Sequence, residues 1–298
     1  MEYQQLGNSE LQISRIGFGC MSLKPGQSNA RQLLEAAVNA GINHFDTADL
    51  YEKGLNEEQV GAALKPFRNR IVLATKAGNQ WRPDGSGWDW NPSKEYIMNA
   101  ADESLKRLQT DYIDLYQLHG GTIEDPIDET IEAFERLKEQ GKIRYYGISS
   151  IRPNVIREYV TRSAIISVMM QVSLLDQRAL EESVPLLAKN SIGVLARGSL
   201  AGGILTGKPA SSYLGYNTNE ISRAAECIRQ LSSTGRRAAH TAIRFVLQQP
   251  GITSAVIGIR TIEQLQDAVT VFESPALSAK EFQKLVDCIP PNRYSDHR

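Results

Sequence analysis

Four polar side chains that can transfer or tune a proton stand at or just beyond the ends of three apolar segments. Asp46 and Lys76 each end one such segment, His119 ends a third, and Tyr51 follows the first in the next loop. In a parallel α/β protein the carboxyl ends of neighbouring strands converge on one face, where ligands bind. The four side chains would meet there, so the sequence predicts an enzyme.

The residue types indicate acid–base chemistry with Tyr51 as the proton donor. A free tyrosine has a pKa of about 10, and a nearby ammonium lowers it. Lys76 is expected to supply that charge, Asp46 to anchor the lysine, and His119 to hydrogen-bond to the substrate oxygen. For any one residue alone, a structural ion pair or a buried core histidine is the better interpretation. The four together on one face favour function.

A metal centre is the main chemical alternative. His44, Asp46, Asp49 and His119 offer nitrogen and oxygen ligands, but Lys76 then has no role as a ligand. A carboxylate pair for glycoside cleavage has less support, because only Asp46 and Asp49 are well placed. The sequence therefore predicts a site without a metal.

Two later stretches are typical of an anion site. The segment from Ala196 to Lys208 is rich in glycine and small residues, so its backbone N–H groups can approach phosphate oxygens. Gly258, Ile259 and Arg260 precede a helix start, which also suits an anion. Phosphate sites in α/β barrels often use the loops after strands 7 and 8. Flexible surface glycine is the alternative, but it does not explain why both stretches fall at this place.

These residues require a repeating scaffold, and the chain alternates strands and helices eight times after a short N-terminal β-hairpin. Continuous apolar runs indicate parallel strands buried on both faces, and eight units favour a closed α/β barrel over an open sheet. The predicted strands are 16–19, 43–46, 71–76, 112–119, 143–149, 165–172, 193–197 and 254–257. The predicted helices are 29–40, 57–64, 93–108, 126–140, 153–161, 181–190, 220–231, 236–249 and 262–272, with an additional C-terminal helix at 278–289.

Local signals refine three of these elements. Ser93 is predicted to cap the third helix, and Asp125 to cap the fourth with Pro126 as its first residue. The segment 209–219 is predicted to be a surface loop. The loop 78–92 carries three tryptophans and is expected to overhang the pocket.

Composition bounds the class of protein. The chain has 298 residues with a formal net charge of −1, so no global field favours nucleic acid or an anionic membrane. No signal peptide and no membrane helix are predicted. The three cysteines are widely spaced and odd in number, which favours a reducing cytoplasm. We expect one domain over 1–298, with a small-molecule substrate and an oligomeric state that the sequence does not indicate.

With these motifs, the chain resembles the aldo-keto reductases along nearly its whole length. The resemblance implies a (β/α)8 TIM barrel with an N-terminal hairpin, and NADPH-dependent reduction of an aldehyde or ketone to an alcohol. The segments that carry it are Asp46–Tyr51, Ala74–Lys76, Leu118-His119, Gly141–Arg144, Gly147–Ser150 and Leu200–Lys208.

The resemblance also implies roles for individual residues. Tyr51 matches the general acid, Lys76 and Asp46 tune it, and His119 orients the carbonyl. Ser149 and Gln171 match residues that hold the nicotinamide carboxamide. Together with the two anion-binding stretches, the predicted cofactor contacts are Cys20, Met21, Asp46, Ser149, Gln171, Arg197, Gly198, Ser199, Leu200, Ala201, Gly202, Lys208, Arg223, Gly258, Ile259, Arg260 and Gln264.

Three positions depart from the family pattern. Ser150 replaces an asparagine beside the carboxamide contact, and Ala268 replaces an asparagine near the adenine. Arg197 replaces an aromatic ring that usually stacks on the nicotinamide, and a planar guanidinium can stack in its place.

Two interpretations remain open. A nicotinamide-binding regulatory subunit, similar to the ion-channel β-subunits of this fold, is the alternative to an enzyme. Trp81 is expected to line the substrate pocket beside Tyr51 and His119, and aromatic walls favour apolar carbonyl compounds. A loop packed on its own tryptophans is the alternative for the segment 78–92.

Overall fold

The computed structural model describes residues 1–209, 212–233 and 235–298. Parallel strands form a closed barrel, and three short antiparallel pairs lie outside it. The strands are β1 (Tyr3–Gln5), β2 (Gln12–Ser14), β3 (Ile16–Gly19), β4 (His44–Asp46), β5 (Val72–Ala77), β6 (Asn79–Trp81), β7 (Trp88–Trp90), β8 (Ile113–Leu118), β9 (Ile143–Ser149), β10 (Ser167–Gln171), β11 (Gly193–Arg197), β12 (Ser212–Tyr213), β13 (Tyr216–Asn217) and β14 (Ile252–Gly258).

Helices connect the barrel strands and cover their outer face. They are α1 (Ala30–Asn39), α2 (Leu55–Leu64), α3 (Lys94–Leu108), α4 (Ile127–Glu139), α5 (Pro153–Arg162), α6 (Arg178–Glu181), α7 (Ser183–Lys189), α8 (Thr218–Gln230), α9 (Ala238–Leu247), α10 (Ile262–Val269) and α11 (Ala279–Asp287). Within the described residues, no helix is long and apolar enough to cross a membrane.

The eight-stranded barrel predicted from the alternation of elements is confirmed. Around the ring the order is β3, β4, β5, β8, β9, β10, β11 and β14, with β14 pairing back to β3. The strands predicted at 16–19, 143–149 and 193–197 coincide with β3, β9 and β11. The additional C-terminal helix is α11, which begins with a capping box between Ser278 and Glu281.

The N-terminal hairpin closes the amino end of the barrel. Leu6 and Ile13 are fully buried and belong to the inner core that fills the barrel. Gly7 has a φ of +54°, and a Cβ there would lie 2.1 Å from the carbonyl oxygen of Ile166, so only glycine permits this approach. Because the hairpin plugs this end, the carboxyl end of the barrel is left for a site.

The two predicted helix caps have different outcomes. Ser93 accepts a hydrogen bond from the backbone N–H of Tyr96, which confirms it as the cap of α3. The prediction for Asp125 was wrong, because α4 begins at Ile127 with Pro126 at its N-cap. The Asp125 carboxylate instead accepts hydrogen bonds from the Thr122 backbone N–H and hydroxyl, both at 2.7 Å, and from the Trp90 indole at 2.9 Å. A charged acceptor is better satisfied by three donors there than by one helix end.

Two predicted loops contain short hairpins. Residues 78–92 form the pair β6–β7, in which Trp81 is opposite Trp88. The segment 209–219 contains the pair β12–β13, joined by Leu214 and Gly215, both of which have a positive φ. Ala210 and Ser211 of this segment lie outside the described residues. Alternation over two or three residues is too short a signal for such strands.

Candidate active site

The four residues singled out by type and position come together at the carboxyl ends of three adjacent strands. Asp46 is the last residue of β4, Lys76 is the penultimate residue of β5, and His119 follows β8 directly. Tyr51 begins a 3-10 turn a few residues after β4. The pairing of β4 with β5 and of β5 with β8 therefore places all four at one side of the barrel mouth.

Lys76 connects this group. Its side chain is fully buried, and its Nζ donates to Asp46 Oδ1 at 2.6 Å, to the Thr47 carbonyl oxygen at 2.7 Å and to the Tyr51 hydroxyl at 3.4 Å. An ammonium has three protons to donate, and each has an acceptor here. The lysine is therefore fixed in both position and charge.

The pKa of Tyr51 moves in the opposite direction from that expected. Burial of the hydroxyl raises the pKa most, while the charge and hydrogen bond of Lys76 lower it. The net shift is upward from the ordinary value, because burial has the largest effect on the pKa and the charge of Asp46 adds to it. Burial alone would lower the pKa of Lys76, but Asp46 and Tyr51 outweigh it, so the lysine stays charged. Tyr51 is thus a protonated phenol at neutral pH.

His119 places a neutral imidazole ring beside Tyr51. Burial first, and then the charges of Lys76 and Arg197, lower its pKa to about 3. Its ring meets the Tyr51 ring edge-on, with centroids 5.7 Å apart. The Asn79 amide donates to its carbonyl oxygen at 2.9 Å, which fixes the backbone beside the ring. Within the described part of the chain, His119 Nδ1 is buried and has no hydrogen-bond partner.

Gln117 completes the group and was not predicted. Its Nε2 donates to Asp46 Oδ2 at 3.2 Å, so both oxygens of the carboxylate are hydrogen-bonded. Gln117 is fully buried in β8, two residues before His119. Its signal in the sequence was a polar side chain inside an apolar strand, on the same face as the histidine.

The predicted cofactor residues occupy the other side of the mouth. Ser149, Gln171, Arg197 and Gly258 are the last residues of β9, β10, β11 and β14, and Cys20-Met21 follows β3. Ser149 and Gln171 are half-buried, and Arg197 is exposed. The strand pairing brings these residues into one arc that continues from the His119 side around to the Tyr51 side.

The glycine-rich stretch after β11 has the backbone of an anion site. Gly198, Ala201, Gly202 and Gly203 have φ values of +75°, +47°, +66° and +97°, whereas Ser199 and Leu200 have negative φ. A glycine-rich turn of this kind lets an anion approach the backbone N–H groups closely. Ser199 Oγ is buried without a hydrogen-bond partner among residues 1–209, 212–233 and 235–298. Lys208 packs its side chain over Gly203 beside this loop.

The loop after β14 is held in a fixed conformation. The Gln264 side-chain oxygen accepts from the Arg260 backbone N–H at 2.8 Å, and Thr261 caps α10. Ser22 donates to the Ile259 carbonyl oxygen at 2.8 Å, which joins this loop to the one after β3. The Arg260 side chain is exposed at the start of the helix.

Arg223, another predicted cofactor residue, belongs to a helix of the outer layer. It lies on α8 and lines a cavity of about 430 Å³ beside α11, together with Cys227 and Cys288. Arg260 and Gln264 are not among the residues that line this cavity.

Trp81 is attached to the loop that carries Tyr51. Its indole donates to the Leu50 carbonyl oxygen at 3.0 Å, and the Lys53 ammonium lies 5.0 Å from the centre of its ring. Glu52 and Lys53 both have left-handed backbone, which is costly for residues other than glycine. Trp81 therefore supports a strained segment beside Tyr51, whereas Trp88 is largely exposed.

Asp49 lies in the same loop, and its pKa is higher than that of a carboxylate on the surface. Burial first, and then the charge of Glu57, raise its pKa to about 7. The Tyr96 hydroxyl of α3 donates to its Oδ2 at 2.9 Å, which ties the loop to that helix. In the described ranges, no group of three or more His, Cys, Asp or Glu side chains is arranged to hold a metal ion.

Comparisons with known proteins show the family of the chain. The model of the Aldo/keto reductase family matches residues 15–290. The chain is 48% identical to the Bacillus subtilis protein named Uncharacterized oxidoreductase YqkF, and the match covers 100% of both chains. It is 31% identical to Aldo-keto reductase YhdN of the same organism, over 99% of this chain and 96% of that one.

Among solved structures, the chain is similar to aldo-keto reductase AKR11C1 from Bacillus halodurans. The match to the holo form has 48% sequence identity and a TM-score of 0.94, and it covers 100% of this chain and 99% of the other. The match to the apo form has a TM-score of 0.86 at the same coverage.

The raised pKa of Asp49 predicts how stability depends on pH. The carboxyl binds its proton more tightly in the folded state than in the unfolded state, where its pKa is 3.8. The stabilisation from this group is therefore complete below about pH 4 and lost as the pH rises through about 7. As the pH rises from about 4 to about 7, the free energy of unfolding of Asp49→Asn should therefore increase relative to that of the wild type, by a few kcal/mol at most. Denaturant unfolding at pH 5 and pH 8 measures this difference, and a constant offset would contradict it.

Proposed function

This chain belongs to the aldo/keto reductase family, and we propose that it reduces an aldehyde or a ketone to an alcohol with NADPH as the reductant. The observation that carries the proposal is the buried Lys76 ammonium, which contacts both Asp46 and the Tyr51 hydroxyl. A protonated phenol beside a neutral imidazole is suited to donating a proton to a polarised carbonyl oxygen.

The residues of the cofactor arc fit a dinucleotide. Ser199 Oγ, which has no partner in the described residues, and the glycine-rich Gly198–Gly202 stretch offer donors for a pyrophosphate. Gln171 and Ser149 stand where a carboxamide would be held. The backbone also resembles the holo form of AKR11C1 more closely than its apo form, with TM-scores of 0.94 and 0.86. When bound, NADPH would supply the hydride that the protein cannot.

The protein's own part is positioning and proton transfer. His119 donates an N–H to the carbonyl oxygen and orients it toward Tyr51. As the carbonyl carbon gains a hydride, the oxygen takes the Tyr51 proton, and the product is an alcohol. Lys76 stabilises the tyrosinate that forms, and Asp46 with Gln117 holds the lysine in place. The Tyr51 hydroxyl then regains a proton from solvent.

Trp81 is proposed as one wall of the substrate pocket, because it is fastened to the backbone immediately before Tyr51. An aromatic wall at this place favours carbonyl compounds with an apolar substituent. A regulatory subunit that only binds the nicotinamide is less supported, since the relatives compared above are named as reductases and an oxidoreductase.

The direct test is a panel of aldehydes and ketones with oxidation of NADPH as the readout, repeated with NADH. Turnover of a simple aldehyde favours the enzyme, and tight NADPH binding without turnover of any substrate would favour the binding subunit. Activity should persist in the presence of a chelator. A loss that a divalent metal restores would revive the metal centre.

Tyr51→Phe should remove most of the reductase activity and leave NADPH binding nearly unchanged. The substitution keeps the ring and deletes only the proton donor, and general acid catalysis typically contributes about 10²- to 10⁴-fold. Steady-state turnover and a binding titration check the two parts separately. Turnover within a factor of two of the wild type would exclude Tyr51 as the acid.

Lys76→Met should slow turnover and change its pH profile. Tyr51 must be protonated to donate, so reduction is present below its pKa and lost above it. Lys76 lowers that pKa, so its removal should move the alkaline limb to higher pH while the weaker acid slows the reaction. Circular dichroism distinguishes this from unfolding. A folded variant with the original profile would make Lys76 purely structural.

Arg260→Ala should weaken NADPH strongly and NADH little. A guanidinium at the start of α10 can form charge-assisted bonds to the adenosine 2′-phosphate, which NADH lacks. Such bonds are worth roughly 1.5–3 kcal/mol, or about ten- to a hundredfold in affinity. Arg136→Ala, an exposed arginine on α4, is the matched control. Equal losses for both cofactors, or none, would remove Arg260 from the site.

A further inference from the structure

Tyr213 contacts the candidate cofactor site from an element outside the barrel. It lies in β12, and its hydroxyl accepts a hydrogen bond from Gln171 Nε2 at 2.8 Å, although the two residues are 42 positions apart. Gln171 is the last residue of β10, in the arc where a nicotinamide carboxamide would be held. No motif in the sequence indicated this contact.

The position of Tyr213 does not depend on Gln171 alone. Across the hairpin, Tyr216 is buried and donates to the Pro290 carbonyl oxygen at 2.7 Å. Asn217 then forms a capping box with Glu220 at the start of α8. The turn between the strands has a positive φ at both central residues, as the two-residue hairpins that match strand twist require. The hairpin therefore presents the Tyr213 ring from a fixed support.

The side-chain amide of Gln171 is oriented by two neighbours. Arg197 Nη1 donates to its Oε1 at 2.9 Å, and a guanidinium has no acceptor, so this neighbour must face the amide oxygen. The NH₂ group is thereby turned toward Tyr213. Burial of Tyr213, followed by the nearby charge of Asp176, raises the pKa of its hydroxyl, so the group stays neutral at physiological pH.

Within the described residues, two hydrogen-bonding positions of the Gln171 amide remain without a partner. An amide has two donors and two acceptor lone pairs, and Arg197 and Tyr213 use one of each. The remaining donor and acceptor match the acceptor and donor of another primary carboxamide. We propose that Tyr213 is a positioning residue, which fixes the Gln171 side chain so that it pairs with the carboxamide of the nicotinamide ring. This inference rests on the proposed function.

The test distinguishes an effect on binding of the nicotinamide end of the cofactor from an effect on binding of its adenosine end. Tyr213→Phe keeps the ring and the hairpin and deletes the hydroxyl. Its affinity for NADPH should fall by about two- to tenfold, the value of one neutral hydrogen bond. Adenosine 2′,5′-bisphosphate has the adenosine end but no nicotinamide, so its affinity should not change. Tyr145→Phe, which deletes an exposed hydroxyl near the N-terminal hairpin, should bind both ligands like the wild type.

A double-mutant cycle tests whether Tyr213 acts through Gln171. In the Gln171→Ala background, Tyr213→Phe should cause no further loss of NADPH affinity, because the amide that it orients is absent. Equal losses for both ligands, an additive cycle or an unchanged NADPH affinity would overturn the role of Tyr213 alone. Failure of the wild type to bind NADPH would overturn the proposed function and this inference together.

Discussion

The burial of the Lys76 charge is the constraint on which the candidate site depends. Removing an ammonium from water costs several kcal/mol unless partners replace its hydration. The three partners are Asp46, the Thr47 carbonyl oxygen and the Tyr51 hydroxyl, and all belong to the end of β4 and the loop that follows. The register of β4 against β5 and the path of this loop must therefore bring all three acceptors within hydrogen-bonding distance of the ammonium. The same contacts hold the tyrosine where a proton donor is needed.

Strain in this loop follows from the same requirement. Glu52 and Lys53 adopt left-handed backbone directly after Tyr51, and each costs about 1–2 kcal/mol. The surrounding contacts offset it, since the Trp81 indole is bonded to Leu50 and the Tyr96 hydroxyl to Asp49. The β6–β7 hairpin and α3 therefore act on the site through the loop, without either one reaching the Lys76 ammonium.

The sequence predicted features that depend on neighbours along the chain. Apolar runs located the eight barrel strands, and Ser93 was recognisable as a cap because capping involves residues three apart. Features set by distant contacts were not predictable. The Asp125 carboxylate accepts a hydrogen bond from Trp90 and does not cap a helix, and Tyr213 contacts Gln171 from a hairpin outside the barrel. The sign of the Tyr51 pKa shift depends on how deeply its hydroxyl is buried, and charge spacing alone does not contain that depth.

The two sides of the barrel mouth differ in their hydrogen bonding. Around Lys76, the ammonium and both oxygens of the Asp46 carboxylate are hydrogen-bonded within the protein, so this charged pair needs no ligand to be ordered. On the other side, Ser199 Oγ has no partner in the described residues, and the Gln171 amide has unused hydrogen-bonding positions. Unsatisfied buried polar groups are costly, and a ligand that pairs with them recovers that cost on binding. A charged pair that is complete by itself is suited to holding a fixed acid–base geometry. The unpaired polar groups of the mouth, which in the described residues include His119 Nδ1 and Ser199 Oγ, are suited to taking up and releasing ligands.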